Sequence, residues 1–102
     1  MSISKQYLKN KPVCKVTFTF PKENGANAKE IYLAGEFNNW DIKATPMIKA
    51  KNGTFSTKIN LETGREYQFR YLLDGNHWEN DEKADKYVPN SFGDADNGVI
   101  IL

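Results

Sequence analysis

The stretch Arg65-Glu-Tyr-Gln-Phe-Arg-Tyr-Leu-Leu-Asp74 decides the fold, because its side chains alternate between two characters. Such a period of two predicts a β-strand with one buried face, since successive side chains of a strand point to opposite sides of the sheet. The buried face would hold Tyr67, Phe69, Tyr71 and Leu73, and the opposite face Glu66, Gln68, Arg70 and Leu72. Asp74-Gly75 then predicts a turn.

Further strands are predicted on both sides of this one. In Val13–Phe20, the apolar side chains at Cys14 and every second position after it alternate with polar ones. Asn52-Gly53 is a strong hairpin signal, because both residues tolerate a positive φ, and it would join the segments 47–50 and 54–60. The remaining predicted strands are Ile31–Gly35 and Val99–Leu102.

The chain is therefore expected to be all-β. About seven short strands separated by turns predict an antiparallel β-sandwich of the immunoglobulin type, although the Cys…Trp…Cys signature of antibody domains is absent. Residues 13–102 would form this domain, and residues 1–12 an N-terminal extension. Within that extension, Ile3, Tyr7 and Leu8 have the spacing of one amphipathic helical turn. The polar segment 79–96 is expected to be irregular.

Composition excludes several classes of function. The chain has 102 residues and a formal net charge of +1 at pH 7, which predicts a single domain and no general affinity for nucleic acid. No segment has the apolar run of a signal peptide or a membrane span, so no membrane partner is expected. Cys14 is the only cysteine and His77 the only histidine, which excludes an internal disulfide and argues against a metal site. A cytoplasmic location without any cofactor is expected.

Trp40 and Trp78 are the candidate ligand-binding residues. A single tryptophan in a sandwich more often belongs to the core, but neither ring fits the inward phase of a strand. Each follows turn-forming residues and lies beside polar ones, and paired exposed aromatic rings often mark a site. Such rings can pack on the C–H groups of a pyranose, while Arg70, Asn97 and Asn38 could bond its hydroxyls. These residues predict a sugar-binding set.

Other interpretations of the polar residues stay open at this point. Arg70 alone fits a solvated strand face, and Asn38 and Asn39 fit simple turn residues. A glycosidase would need two carboxylates across the scissile bond. Candidates by number are Asp74, Glu79, Asp81, Glu82, Asp94 and Asp96. None lies in an apolar stretch that would raise its pKa, so catalysis is not expected. The run 94–98 lacks the spacing of a calcium loop.

Three stretches of the chain resemble one known family. Ile31–Trp40 (IYLAGEFNNW), Tyr67–Trp78 (YQFRYLLDGNHW) and Asp96–Ile101 (DNGVII) are similar, in this order, to motifs of the family-48 carbohydrate-binding modules. That family includes the glycogen-binding domain of the AMP-activated protein kinase β subunit and the early-set domains of isoamylases and branching enzymes. The resemblance covers nearly the whole chain, from Val13 to Leu102. It implies an early-set, immunoglobulin-like sandwich that binds α-1,4-glucans such as glycogen or starch.

The resemblance also implies roles for individual residues. Trp40 and Trp78 match the two tryptophans that stack on glucose rings, and Arg70 stands where the kinase module has a lysine that contacts hydroxyls. A loop before the last strand supplies an apolar residue, a threonine and an asparagine in that family. Phe92 and Asn97 match the first and last of these, whereas Asp94 stands near the threonine position.

In branching enzymes and isoamylases a catalytic barrel of about 250 residues follows this module. The present chain ends at Leu102 and is more similar to short bacterial proteins formed by the early-set domain alone. The expected function is non-catalytic binding of α-1,4-glucans such as glycogen, starch and maltooligosaccharides, at a site made of Trp40, Arg70, Trp78, Phe92 and Asn97. The alternatives are a regulatory module that binds a glycogen-metabolising enzyme and, less favoured, a small glycoside hydrolase.

Overall fold

The computed structural model describes residues 2–24, 28–90 and 95–102 of the chain. These residues form nine strands: β1 (Ser2–Tyr7), β2 (Val13–Phe20), β3 (Ile31–Gly35), β4 (Ile48–Lys49), β5 (Phe55–Glu62), β6 (Glu66–Leu73), β7 (His77–Glu79), β8 (Lys86–Pro89) and β9 (Asp96–Ile101). The helical segments among them are two short 3-10 helices, Lys22–Asn24 and Glu36–Asn38. No helix in the described ranges is long and apolar enough to cross a membrane.

The strands form two antiparallel sheets, which confirms the prediction of an all-β sandwich. One sheet has the order β1-β2-β5-β4, and the other has the order β3-β6-β9-β8, with β7 also paired to β6. The described residues form nine strands where about seven were expected, and β1, β7 and β8 lie in segments that the sequence did not mark as strands.

The core fills the space between the two sheets. Aromatic rings of β2 and β6 meet there edge to face, with 5.2 Å between the ring centres of Phe18 and Phe69 and 5.1 Å between those of Phe20 and Tyr71. Burial of each such side chain stabilises the fold by about 1.5–3 kcal/mol. The fully buried apolar residues include Cys14, Val16, Phe18, Phe20, Leu33, Phe69, Tyr71 and Ile100.

The alternation in β6 is confirmed in the structure. Tyr67, Phe69 and Tyr71 are buried in the core, whereas Gln68 and Arg70 between them are partly exposed on the other side of the sheet. The five-stranded sheet therefore has an inner face against the core and an outer face, on which Gln68 and Arg70 are partly exposed and Leu72 is buried. Because β6 has neighbours on both sides, its outward side chains lie in the middle of that outer face.

The N-terminal residues add a strand to the sandwich. The interpretation of Ile3, Tyr7 and Leu8 as a helical turn is wrong, because Ser2–Tyr7 pairs with β2 along its whole length. Lys5 Nζ donates hydrogen bonds to Asp85 Oδ2 at 2.7 Å and to the backbone oxygen of Ile101 at 3.1 Å, linking β1 to the other sheet. A domain boundary at residue 13 stays a prediction.

The segment between β3 and β5 is bonded to both sheets. Leu33 N donates to Thr45 O at 2.9 Å and Met47 N donates to Ile31 O at 2.8 Å, so residues 45–47 line the edge of β3. The next two residues form β4 and pair with β5 in the other sheet. The predicted hairpin between β4 and β5 is confirmed, and in its turn Gly53 adopts a positive φ of 89°.

Candidate functional site

The outer face of the five-stranded sheet places Trp78 beside the outward residues of β6. Directly paired residues of antiparallel strands share a face. Leu72 pairs with Tyr32 on one side and with Trp78 on the other. Arg70, two residues before Leu72, points to the same side. The structure thus brings Trp78 and Arg70 to one surface.

Arg70 and Trp78 are in contact on this face. The guanidinium carbon lies 5.8 Å from the centre of the indole ring, within the range of a cation–π interaction. Trp78 is 38% exposed, so the fold leaves a large part of this ring open. Arg70 Nε is buried and has no hydrogen-bond partner among the described residues. A buried N–H without an acceptor is unfavourable.

The turn that carries Trp78 is held by Asp74. Both Asp74 and Gly75 adopt a positive φ, as the predicted turn requires. Asp74 Oδ1 accepts hydrogen bonds from the backbone N–H groups of Lys29 at 2.7 Å and Glu30 at 3.0 Å. The bond from Glu30, followed by that from Lys29, lowers the pKa of the Asp74 carboxyl. The β6–β7 hairpin is therefore fastened to the segment before β3.

Trp40 lies at the end of a tightly folded loop after β3. Trp40 is half-buried and has a φ of 58°, and its backbone N donates to Gly35 O at 2.8 Å. Gly35 is extended, but a Cβ there would lie 2.5 Å from the backbone oxygen of Gln68, so only glycine fits. Phe37 anchors the loop by packing against the rings of Phe18 and Tyr67.

Asn38 stabilises this loop from within. Its Oδ1 accepts from Gly35 N at 3.1 Å, and its Nδ2 donates to Leu33 O at 2.9 Å and to Thr45 Oγ1 at 3.0 Å. Both ends of the amide are thus engaged inside the protein. Asn38 therefore acts as a turn residue in this structure, and its amide is not free to bind a sugar.

Asn97 enters the outer face from β9. The register that pairs Phe69 with Gly98 puts Asn97 level with Arg70. Asn97 is only 8% exposed, and its Nδ2 donates to Gln68 Oε1 at 3.0 Å. Arg70 therefore has Trp78 and Asn97 as neighbours. The backbone of Trp40 is bonded to Gly35, whose partner on β6 is Phe69, so the loop that carries Trp40 ends beside β6.

Two residues of the predicted loop cannot be placed. Phe92 and Asp94 lie outside the described residues. Among the described residues, the structure brings Arg70, Trp78 and Asn97 together, and the place of Trp40 in a binding site stays a prediction. The two indole rings make no ring contact with each other, so a ligand that touched both would have to extend across the face.

One carboxylate differs from the sequence expectation. Asp81 was expected to be solvated with the other acidic residues, but it is fully buried. Its Oδ2 accepts from Tyr71 Oη at 2.7 Å and its Oδ1 from Lys83 N at 2.7 Å, while its backbone oxygen accepts from Tyr87 Oη. Burial and the adjacent Asp81 charge raise the pKa of the Tyr71 hydroxyl well above its usual value. The fold gathers these groups in the interior, which the polar local sequence did not indicate.

The described part of the chain contains no candidate cluster of metal ligands. Within the described ranges, no group of three or more His, Cys, Asp or Glu residues is arranged to hold a metal ion. Asp81 in particular has both carboxylate oxygens engaged by Tyr71 and Lys83. It is a structural acceptor in the core.

The family of the chain follows from its match to known domains. Residues 15–101 match the family described as the glycogen recognition site of AMP-activated protein kinase. The chain belongs to this family. The resemblance inferred from the three sequence motifs is thereby confirmed, and the glycogen-recognition family is one of carbohydrate-binding modules.

Individual relatives of this chain are larger proteins. Pig 5'-AMP-activated protein kinase subunit beta-1 is 35% identical over 73 residues, which cover 72% of this chain and 55% of that protein. The human subunit is 32% identical over 73 residues, or 72% of this chain and 25% of that protein. 1,4-alpha-glucan branching enzyme GlgB of Aquifex aeolicus (strain VF5) is 32% identical over 78 residues, or 74% of this chain and 11% of that protein. The chain thus spans about half, or less, of each relative.

Two residues of this domain's outer face were not singled out by the sequence reasoning. Gln68 bonds Asn97 through its side chain, and its backbone N donates to Glu36 Oε1 at 2.7 Å. Gln68 could have been found, because it lies two positions before Arg70 in the alternating strand. Glu36 could not, because its contact depends on how β3 ends beside β6.

Proposed function

We propose that the outer face of the five-stranded sheet binds α-1,4-glucans such as glycogen. The observation that carries this proposal is the pair of Arg70 and Trp78, in which a partly open indole lies beside a guanidinium. An apolar ring packs on the C–H face of a pyranose, and the adjacent donor serves its hydroxyls. Membership of a glycogen-recognition family supports the same ligand class.

Each site residue has a part in this proposal. Trp40 and Trp78 stack on different glucose units of one chain, since the two rings do not touch. Arg70 and Asn97, which lie level with each other, hydrogen-bond hydroxyls of the sugar between them. Phe92, outside the described residues, is proposed to flank the same sugar. An open face of this kind gives weak to moderate affinity, which increases when several copies bind one polymer.

Tryptophan fluorescence tests the proposal directly, because the chain has two tryptophans and both are in the proposed site. Titration with maltoheptaose should change the emission, and the β-1,4-linked cellohexaose should not. Trp78→Ala should raise the Kd about tenfold. Tyr7→Ala is the matched control, because Tyr7 is an exposed aromatic residue on β1. An unchanged emission with maltoheptaose, or an equal response to cellohexaose, would contradict the proposal.

Loss of both rings is tested separately, because that variant has no tryptophan signal. Trp40→Ala/Trp78→Ala should migrate in a native gel containing glycogen as it does without glycogen. The unsubstituted chain and Tyr7→Ala should be retarded. If the doubly substituted protein folds and is still retarded, the stacking surface lies elsewhere.

We propose that the chain does not hydrolyse glucans. Supporting this, the matched family is a binding module, and the buried carboxylate of Asp81 has both oxygens engaged in the core. Incubation with maltooligosaccharides should release no reducing sugar. Measurable release that persists after repeated purification would contradict this part of the proposal.

A second candidate function is association with a glycogen-metabolising enzyme. It is favoured by the relatives, in which the matched segment is part of a kinase subunit or a branching enzyme. Sedimentation of the chain with a purified branching enzyme would detect such a complex. A stable complex in a chain that gives no response to maltoheptaose would favour this function over glucan binding.

A further inference from the structure

Gln68 is bonded to two segments beside the outer face, the 3-10 helix Glu36–Asn38 and strand β9. Its backbone N donates to Glu36 Oε1 at 2.7 Å, in the 3-10 helix that precedes Trp40. Its side-chain Oε1 accepts from Asn97 Nδ2 at 3.0 Å. It also lies two residues before Arg70 on the same face of β6.

The bond to Gln68 determines how Asn97 is presented. A primary amide carries two donors on nitrogen and an acceptor on oxygen, and rotation by half a turn exchanges them. Because Asn97 Nδ2 is bonded to Gln68 Oε1, Asn97 Oδ1 points away from Gln68. Asn97 is nine-tenths buried, so it has little freedom to find another donor or acceptor once this bond is lost.

The orientation of the Asn97 amide matters because Arg70 lies beside it. Arg70 supplies only donors, since a guanidinium has no acceptor. A vicinal pair of sugar hydroxyls is recognised best by a donor and an acceptor side by side, because each hydroxyl can both donate and accept. With Asn97 held as it is, the partly exposed Arg70 guanidinium and Asn97 Oδ1 offer that combination. With Asn97 turned round, two sets of donors would face the same diol.

We infer that Gln68 is a positioning residue of the glucan site, which orients the Asn97 amide so that Oδ1 accepts from a sugar hydroxyl while Arg70 donates to its neighbour. This inference rests on the proposed glucan-binding function. Gln68 acts through Asn97, so its contribution to affinity depends on Asn97 being present.

A double-mutant cycle on maltoheptaose affinity tests the inference. Gln68→Met keeps the length of the side chain and removes the acceptor. It should raise the Kd about fivefold, the worth of one hydrogen bond, as should Asn97→Ala. The double variant should bind as Asn97→Ala does, because Gln68 has nothing left to orient. Lys58→Met, on the exposed side of β5 in the other sheet, is the matched control and should bind as the unsubstituted chain.

The possible outcomes distinguish the positioning role of Gln68 from glucan binding itself. Unchanged affinity in Gln68→Met, or a Gln68→Met effect that multiplies fully with that of Asn97→Ala, would overturn the positioning role while leaving glucan binding intact. No response of the unsubstituted chain to maltoheptaose would overturn both. Thermal unfolding of each variant distinguishes a loss of fold from a loss of orientation, because a purely structural role would lower Tm without the coupling in affinity.

Discussion

The guanidinium of Arg70 lies over the Trp78 indole, with 5.8 Å between the guanidinium carbon and the ring centre. The two residues come from β6 and β7, which are joined by the turn at Asp74 and Gly75. A cation in this position is attracted to the ring by about 0.5–1 kcal/mol at an exposed site. The contact restrains the indole on the outer face.

Arg70→Met should weaken glucan binding more than Arg70→Lys. Methionine removes the charge and all donors, so the Kd for maltoheptaose should rise about tenfold or more. Lysine retains a charged donor, although it loses the planar group that rests on the ring, and a smaller rise is expected. The measurement is the fluorescence titration.

Arg65→Met is the control for this series. Arg65 also lies over an aromatic ring, with its guanidinium carbon 5.2 Å from the centre of Tyr67, but it precedes β6 and is exposed. It should leave the Kd unchanged. Equal effects of Arg65→Met and Arg70→Met would show that loss of positive charge alone reduces the affinity.

Gly35→Ala should lower both stability and glucan affinity. The new Cβ would lie 2.5 Å from Gln68 O and 2.9 Å from the ring of Phe37, so β3 and the loop that carries Trp40 must shift. Overpacking of this kind destabilises by about 1–3 kcal/mol, measured as the free energy of unfolding in urea.

Gly64→Ala is the control that separates the steric clash at Gly35 from the general effect of replacing a glycine. No atom lies within 4 Å of a Cβ at Gly64, although its φ of +76° strains any other residue. The strain should cost about 1–2 kcal/mol of stability, with no change in affinity for maltoheptaose. A Gly35→Ala protein that binds as tightly as the original chain would refute the link between this close contact and Trp40.

Asp74→Asn should reduce stability at neutral pH and have no effect in strong acid. Hydrogen bonds from Glu30 and Lys29 hold the pKa of this exposed carboxyl below its usual value in the folded state. A lowered folded pKa gives stability that is complete above the unfolded value of about 3.9 and is lost as pH falls through the folded pKa. Urea unfolding of both proteins from pH 7 down to about pH 2 measures the difference. A gap between them that stays constant with pH would be incompatible with this assignment.

Lys5→Met should destabilise the fold by about 1 kcal/mol, because it removes a partly shielded ion pair between the two sheets. The Lys5 and Asp85 side chains are 24% and 32% exposed. Burial raises the pKa of Asp85, but the bonds from Lys5 and Ile101 N outweigh burial and lower it overall. This contribution should therefore be lost as the pH falls below the usual range of a carboxyl group.

The matched control for Lys5 is Lys86→Met. Lys86 Nζ is the same 2.7 Å from Glu66 Oε1, but both side chains are more exposed, at 45% and 50%. A well-solvated pair contributes less, so the free energy of unfolding in urea should change by less than about 0.5 kcal/mol. A larger effect of Lys86→Met than of Lys5→Met would contradict the importance of shielding.

Local alternation was sufficient to predict the strands that form the core. Tyr67, Phe69 and Tyr71 keep a strict period of two, and so do Cys14, Val16, Phe18 and Phe20, because one face of each strand is buried. The contact of Arg70 with Trp78 could also be predicted, since a turn and an outward phase place the two side chains on one face.

The residues that were missed depend on contacts between distant segments. β1 escaped prediction because its inward positions include Lys5, which is acceptable there only through Asp85 on the other sheet. Asp81 lies in a polar run and gives no local sign of burial, and Tyr71 and Tyr87 reach it only in the folded chain. A sequence pattern indicates which residues of one strand are buried. It does not indicate which distant residue will be the hydrogen-bond partner of a buried polar group.

The five residues from Thr45 to Lys49 have a consequence for how the protein opens. Their backbone is bonded first to Ile31 and Leu33 in one sheet and then to β5 in the other. One end of this segment is bonded to β3 and the other end to β5. The two sheets therefore cannot move apart without breaking the hydrogen bonds at one of these ends. Backbone amides of β3 and β5 should therefore exchange with deuterium at similar rates, as members of one cooperative unit.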